Sequence, residues 1–154
     1  MLLKCKTNSV SNPPILLLPR DITCNIDENN YVSSSEWYNS MDEGIFDYLL
    51  TIGKTYFVYA LLIYDGLLRY LIVDDNGIPN FYPEYIFEIV DSKIICDWDI
   101  ACYGINENEK QCIVVADKML ISQYEDLRDL IEQTNSSILR RFLDYKDYIN
   151  EYYL

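Results

Sequence analysis

The stretch from Thr55 to Val90 constrains the fold more than any other, because compact turn signals divide it into short β-rich runs. Thr55–Ile63 (TYFVYALLI) is dense in aromatic and β-branched residues and predicts a central strand. Asp65-Gly66 is a hairpin turn signal, and Leu67–Val73 (LLRYLIV) returns as the next strand. Asp74-Asp75-Asn76-Gly77 marks a second turn, in which Asn-Gly favours positive φ. Asn80–Tyr82 is a short strand. Pro83-Glu84-Tyr85 predicts a single tight turn, since proline presets the backbone that starts one, and Ile86–Val90 closes the set. Upstream, Asp21–Asp27 places Ile22, Cys24 and Ile26 on one face, the period of a half-buried strand. Five short, twisted strands of this kind curl into a small barrel.

The rest of the chain has a different character. Residues 1–20 are weakly patterned and read as an N-terminal arm or an extra strand. Residues 28–48 form a polar, acidic loop inserted in the barrel segment 21–91. Residues 92–154 form a C-terminal extension. Within it Lys110–Ala116 reads as one additional strand, and Ser122-Gln123-Tyr124-Glu125 as a capping box opening a helix. Leu120, Tyr124, Leu127 and Ile131 recur at helical spacing. Ser136 or Ser137 is expected to cap a second helix whose stripe is Ile138, Phe142, Tyr145, Ile149 and Tyr152, an apolar face that packs into a core. The fold class is therefore α+β: a five-stranded barrel, one more strand and two C-terminal helices.

Three motifs carry a resemblance. They are Leu50-Thr51-Ile52-Gly53-Lys54-Thr55-Tyr56-Phe57-Val58, Tyr70-Leu71-Ile72-Val73-Asp74-Asp75-Asn76-Gly77, and Tyr82-Pro83 followed by Phe87-Glu88-Ile89-Val90. Together they resemble the small Src-homology-3-like domains of bacterial and phage proteins. The resemblance covers less than half the chain and implies a Src-homology-3-like barrel. Tyrosine-rich acidic chains of similar make-up occur among immunity proteins of bacterial toxin systems. The loop 28–48 and the C-terminal third depart from the short family form, and function is expected in those additions.

Composition narrows the chemistry. The 154 residues are half hydrophobic, enough to build a proper core. There is no histidine, which removes the commonest general base and metal ligand and excludes Ser-His-Asp and Cys-His constellations. Five glycines form no phosphate-binding loop. The carboxylate pairs Asp74/Asp75 and Asp97/Asp99 leave a two-carboxylate hydrolase open as a third reading. Asp74–Gly77 lacks the ligand spacing of a calcium loop and reads as a turn. No catalytic residue, no metal ligand and no cofactor is assigned. Cys5, Cys24, Cys96, Cys102 and Cys112 are odd in number and show no Cys-x-x-Cys spacing, as free thiols of a cytoplasmic protein would. No export signal of the usual form is present, and the longest apolar run, Phe57–Tyr64, is too short to span a membrane.

The net charge of −13 disfavours direct contact with nucleic acid and favours basic protein partners. Trp37 and Tyr38 stand among Glu36, Asp42, Glu43 and Asp47, and Trp98 stands between Asp97 and Asp99. Aromatic rings among carboxylates suit a cationic partner: the ring offers area and a cation–π face, the acid steers. These nine residues are the candidate partner-binding set, with core packing of the tryptophans as the alternative. The leading expectation is a non-catalytic bacterial immunity protein covering the basic active site of a toxin such as a nuclease. The alternative is a peptide-binding module with Tyr56, Tyr59, Tyr82 and Tyr85 lining a groove.

Overall fold

The computed structural model describes residues 1–11, 45–64, 66–94, 97–105, 110–122 and 124–153. The predicted strand Asp21–Asp27 and loop residues 28–44 lie outside them. The described chain is α+β, with antiparallel strands in open sheets and three helices.

The β-rich run behaves largely as its pattern requires. Thr55–Ile63 is not one straight strand: β4 (Thr55–Phe57) and β5 (Ala60–Tyr64) are separated by a bend at Val58 and Tyr59. The bend hands the chain from one sheet to another. The Val58 N–H donates to the Met1 carbonyl at 3.1 Å, and the Tyr59 N–H donates to the Leu71 carbonyl at 2.8 Å. β6 (Leu67–Val73) follows a turn in which Gly66 has φ +73, and β7 (Pro79–Pro83) follows a turn in which Gly77 has φ +81. A left-handed backbone costs glycine least, which is why these turns carry it. A 3₁₀ turn, Glu84–Ile86, leads into β8 (Phe87–Asp91).

The N-terminal segment carries more structure than its weak pattern suggested. β1 (Leu2–Cys5) is the middle strand of a three-stranded sheet, between β4 and β8. β2 (Ser9–Ser11) pairs with β3 (Ile45–Asp47), so the loop assigned to residues 28–48 ends in a short strand.

The C-terminal extension holds two strands where one was expected. β9 (Trp98–Ile105) and β10 (Lys110–Asp117) form a hairpin added to β5, giving the order β7-β6-β5-β10-β9. Three helices follow instead of two: α1 (Lys118–Ile121), α2 (Tyr124–Glu132) and α3 (Ser136–Tyr153). Asp117 caps α1, its carboxylate accepting the Met119 N–H. The cap of α3 is Asn135, not a serine: its Oδ1 accepts the N–H groups of Ser137 at 3.0 Å and Ile138 at 3.4 Å.

The five-stranded sheet has a core on each face. On one face Ala60, Leu62, Leu71, Cys112, Val114 and Ala116 meet Leu120, Leu127, Leu130, Phe142 and Ile149 from the helices. On the other, Tyr70, Ile72 and Tyr82 meet Leu3, Cys5, Tyr56 and Phe87 from the small sheet. Tyrosines join the parts by edge-to-face contacts: Tyr59 lies 5.1 Å from Phe57 and 5.2 Å from Phe142, and Tyr48 lies 5.6 Å from Tyr82.

Burying so many phenols makes stability depend on alkaline pH. Burial pushes the Tyr48, Tyr59 and Tyr82 hydroxyls well above their ordinary value of 10.0, and Tyr56 up to about 12. Burial likewise pushes the Cys112 thiol from 9.0 up to about 12, against the opposing charge of Arg69. Each group is an acid whose folded value is raised. Its contribution is intact below the unfolded value and is lost as pH rises through the folded one. Unfolding is therefore expected to set in above pH 10, with tyrosinate absorbance and loss of near-ultraviolet circular dichroism appearing together. Smooth ionisation of all tyrosines near 10 without unfolding would contradict this packing.

Candidate partner-binding face

The β9–β10 hairpin generates the most distinctive surface. Its register sets Ile100 opposite Val115 and Cys102 opposite Ile113, while Val115 and Ile113 face Leu61 and Ile63 of β5. Alternation puts all six on one face, because Cys112, Val114 and Ala116 point to the helices. Among the described residues the small sheet covers this second face over β6 and β7 and does not reach β9. Leu61 and Val115 are half-buried, Ile63 is 39% exposed, Cys102 is exposed and Ile100 is 65% exposed. The result is a continuous apolar ladder across three strands.

Two acidic residues lie at the start of β9, and Asp99, paired with Ala116, alternates to the face opposite Ile100. Asp97 and Asp99 are exposed on either side of Trp98. Asp99 Oδ1 accepts the N–H of Ile100 at 2.9 Å. Trp98 itself is half-buried and packs against both cores, its indole N–H donating to the Tyr145 hydroxyl at 3.4 Å. It is anchored in the fold at the start of β9. Glu36, Trp37, Tyr38, Asp42 and Glu43 lie outside the described residues, and Asp47 is placed only as the last residue of β3. The structure thus brings together Asp97, Trp98 and Asp99 and adds Ile100, Cys102, Ile113, Val115, Leu61 and Ile63. No strand was expected here; the period-two spacing of Trp98, Ile100 and Cys102 is the signal that could have shown one.

The other candidate chemistry becomes structural. The Asp74 carboxylate accepts the N–H groups of Asn76 and Ile78, both at 2.9 Å, and the Tyr82 hydroxyl at 3.2 Å. Asp75 ties the β6–β7 turn to the segment before β4. It accepts bonds from the Thr51 hydroxyl at 2.7 Å, the Tyr56 hydroxyl at 3.0 Å and the Lys54 ammonium. Burial works to raise the Asp75 carboxyl, but these donors and the Lys54 charge outweigh it and hold the group below its ordinary value. Both carboxylates serve the turn. Among the described residues no group of three or more Cys, Asp or Glu side chains is placed to hold a metal. Tyr56, Tyr59 and Tyr82 are buried and Tyr85 is half-buried, so the predicted aromatic groove is instead core. Among the described residues no helix is long and apolar enough to cross a membrane.

The described residues define an α+β protein with a helix-backed antiparallel sheet whose second face is partly exposed and apolar at β9. Comparison with known proteins finds no matching family model, no matching curated protein and no matching solved structure.

Proposed function

We propose that this chain is a non-catalytic acidic binding protein of the immunity type, which neutralises a cognate bacterial toxin, such as a nuclease, by covering its basic active site. The observation that carries this reading is the apolar ladder Ile100–Val115–Leu61, with exposed Asp97 and Asp99 at the start of its outermost strand, in a chain of net charge −13. An apolar centre with a charged border is the general anatomy of a protein interface. A cleft that binds an anionic substrate is cationic, so an acidic plug is drawn to it and speeds the encounter. The inhibitor acts by occlusion and moves no proton.

The same reading treats the β1 and β4–β8 region as a Src-homology-3-like unit. The strand orders β4-β1-β8 and β7-β6-β5, joined through the bend at Val58 and Tyr59 and with a 3₁₀ turn before the last strand, support it. The β9–β10 hairpin extends this unit at β5.

Co-expression with the protein encoded beside this chain, scored by host growth and by co-purification of a complex, tests the function. The chain is expected to protect. Asp97→Lys with Asp99→Lys is expected to abolish protection without lowering the thermal midpoint, since both side chains are exposed. No protection and no complex with the wild-type chain would overturn the proposal.

A further inference from the structure

We propose that the outer edge of β9 accepts an extended segment of the partner as an added strand, and that this segment alternates apolar with basic residues. The inference rests on the binding reading above and specifies its geometry. β9 ends the five-stranded sheet, and among the described residues no strand pairs with its outer edge. In an antiparallel pair the N–H and C=O of one residue point to the same side, and successive residues alternate. The Ile100 N–H is held by the carboxylate of Asp99 on its own strand. That sets the Ile100 amide outward and, two residues on, the Cys102 amide with it.

An exposed edge strand is a pairing template, and charge is one way of blunting it. Asp99 does this directly, by occupying the donor that an incoming strand needs. From Ile94 to Ile105 the sequence supplies no lysine or arginine to offset Asp97 and Asp99. A second copy of this chain would bring the same aspartates and a further charge of −13, so self-pairing is opposed. A neutral strand would leave the displaced carboxylate uncompensated. A strand bearing a cation beside Asp99 draws the carboxylate off the Ile100 amide and opens the donor. Its alternate side chains then lie beside Ile100 and Cys102 and continue the apolar ladder. Charge therefore selects the partner, and the backbone and the ladder hold it.

The test uses the full chain, isotopically labelled, and a short acetylated peptide of alternating lysine and valine as the probe. Saturable binding is expected, with amide shifts and slowed hydrogen exchange centred on Ile100 and Cys102. Methylating alternate backbone nitrogens of the probe, which keeps its charge and removes its donors, is expected to weaken binding by about tenfold or more. Cys102→Pro, which deletes one edge donor at a position where an edge strand tolerates proline, is expected to weaken it similarly. If that variant fails to fold, the methylated probe still decides. Equal affinity for the methylated and unmethylated probes, shifts located away from β9, or no binding would each overturn strand addition. Protection by the wild-type chain in the co-expression assay alongside any of these results would leave the inhibitor reading standing and remove only its geometry.

Discussion

Phe142→Ala is expected to cost about 3–5 kcal/mol of folding stability, the usual loss when a buried phenyl ring leaves a cavity. Phe142 is fully buried. Its ring meets Tyr59 edge-on at 5.2 Å, and Tyr59 in turn meets Phe57 at 5.1 Å and Tyr145 at 6.4 Å. These four rings dock α3 where the chain bends between β4 and β5. Collapse into the cavity is opposed from both sides, by hydrogen-bonded strands and by a long helix. A domain of this size is stable by only about 5–15 kcal/mol, so the loss takes a large share. Urea unfolding followed by circular dichroism measures it. Leu143→Ala, one position along the same helix but 39% exposed, is the control and is expected to cost far less. Equal effects from the two variants would mean that α3 is not docked through Phe142.

The turns and the strands they separate were the most legible part of the fold. Gly66 and Gly77 adopt the positive φ that their turn signals announced, and the run from Leu67 to Val73 is β6 from end to end. The helical stripes were legible too: Leu120 and Leu127 of the first predicted stripe, and Phe142 and Ile149 of the second, are buried. β1 was legible only as an arm or an extra strand somewhere in residues 1–20, for a physical reason. It has four residues, too few for a period, and its burial is decided by pairing with β4 and β8, which are distant in sequence. β9 was missed because Ile100, Ala101, Cys102 and Tyr103 run without the polar alternation that normally marks a half-buried strand. The cap of α3 went to Asn135 over two adjacent serines, a choice among residues of similar capping strength that the sequence does not rank.

The candidate site was half legible. Asp97, Trp98 and Asp99 were singled out from the sequence alone, since aromatic and acidic neighbours are visible without a fold. The apolar ladder beside them was not visible, because it is assembled by register from three strands lying between positions 61 and 115. Conversely, the paired aspartates of the β6–β7 turn, read in sequence as a turn with a two-carboxylate hydrolase left open, hold that turn and its neighbours by hydrogen bonds.

Asp74→Ala is accordingly expected to destabilise the fold by about 3 kcal/mol, on the scale of hydrogen bonds to a charged group, which contribute about 1.5–3 kcal/mol each and do not add fully. The carboxylate serves three donors at once: the Asn76 and Ile78 N–H groups, and the hydroxyl of buried Tyr82. In the alanine variant the turn amides near the surface recover part of their loss from water. The Tyr82 hydroxyl, in the core beneath the small sheet, does not. Asp74→Asn separates shape from charge. Its side-chain oxygen still closes the turn onto the two amides, so its expected cost is about 1 kcal/mol. Tyr82→Phe removes only the third bond and is expected to fall in the same range. The measurement is the urea midpoint of the three variants, read beside their affinity for the partner or the lysine–valine probe. Stability should fall in the order wild type, asparagine, alanine, while affinity under native conditions stays unchanged, because the turn supports the far side of the sheet from β9. Loss of affinity at full stability would instead place Asp74 in a binding site and return the aspartate pair to the functional side of the molecule.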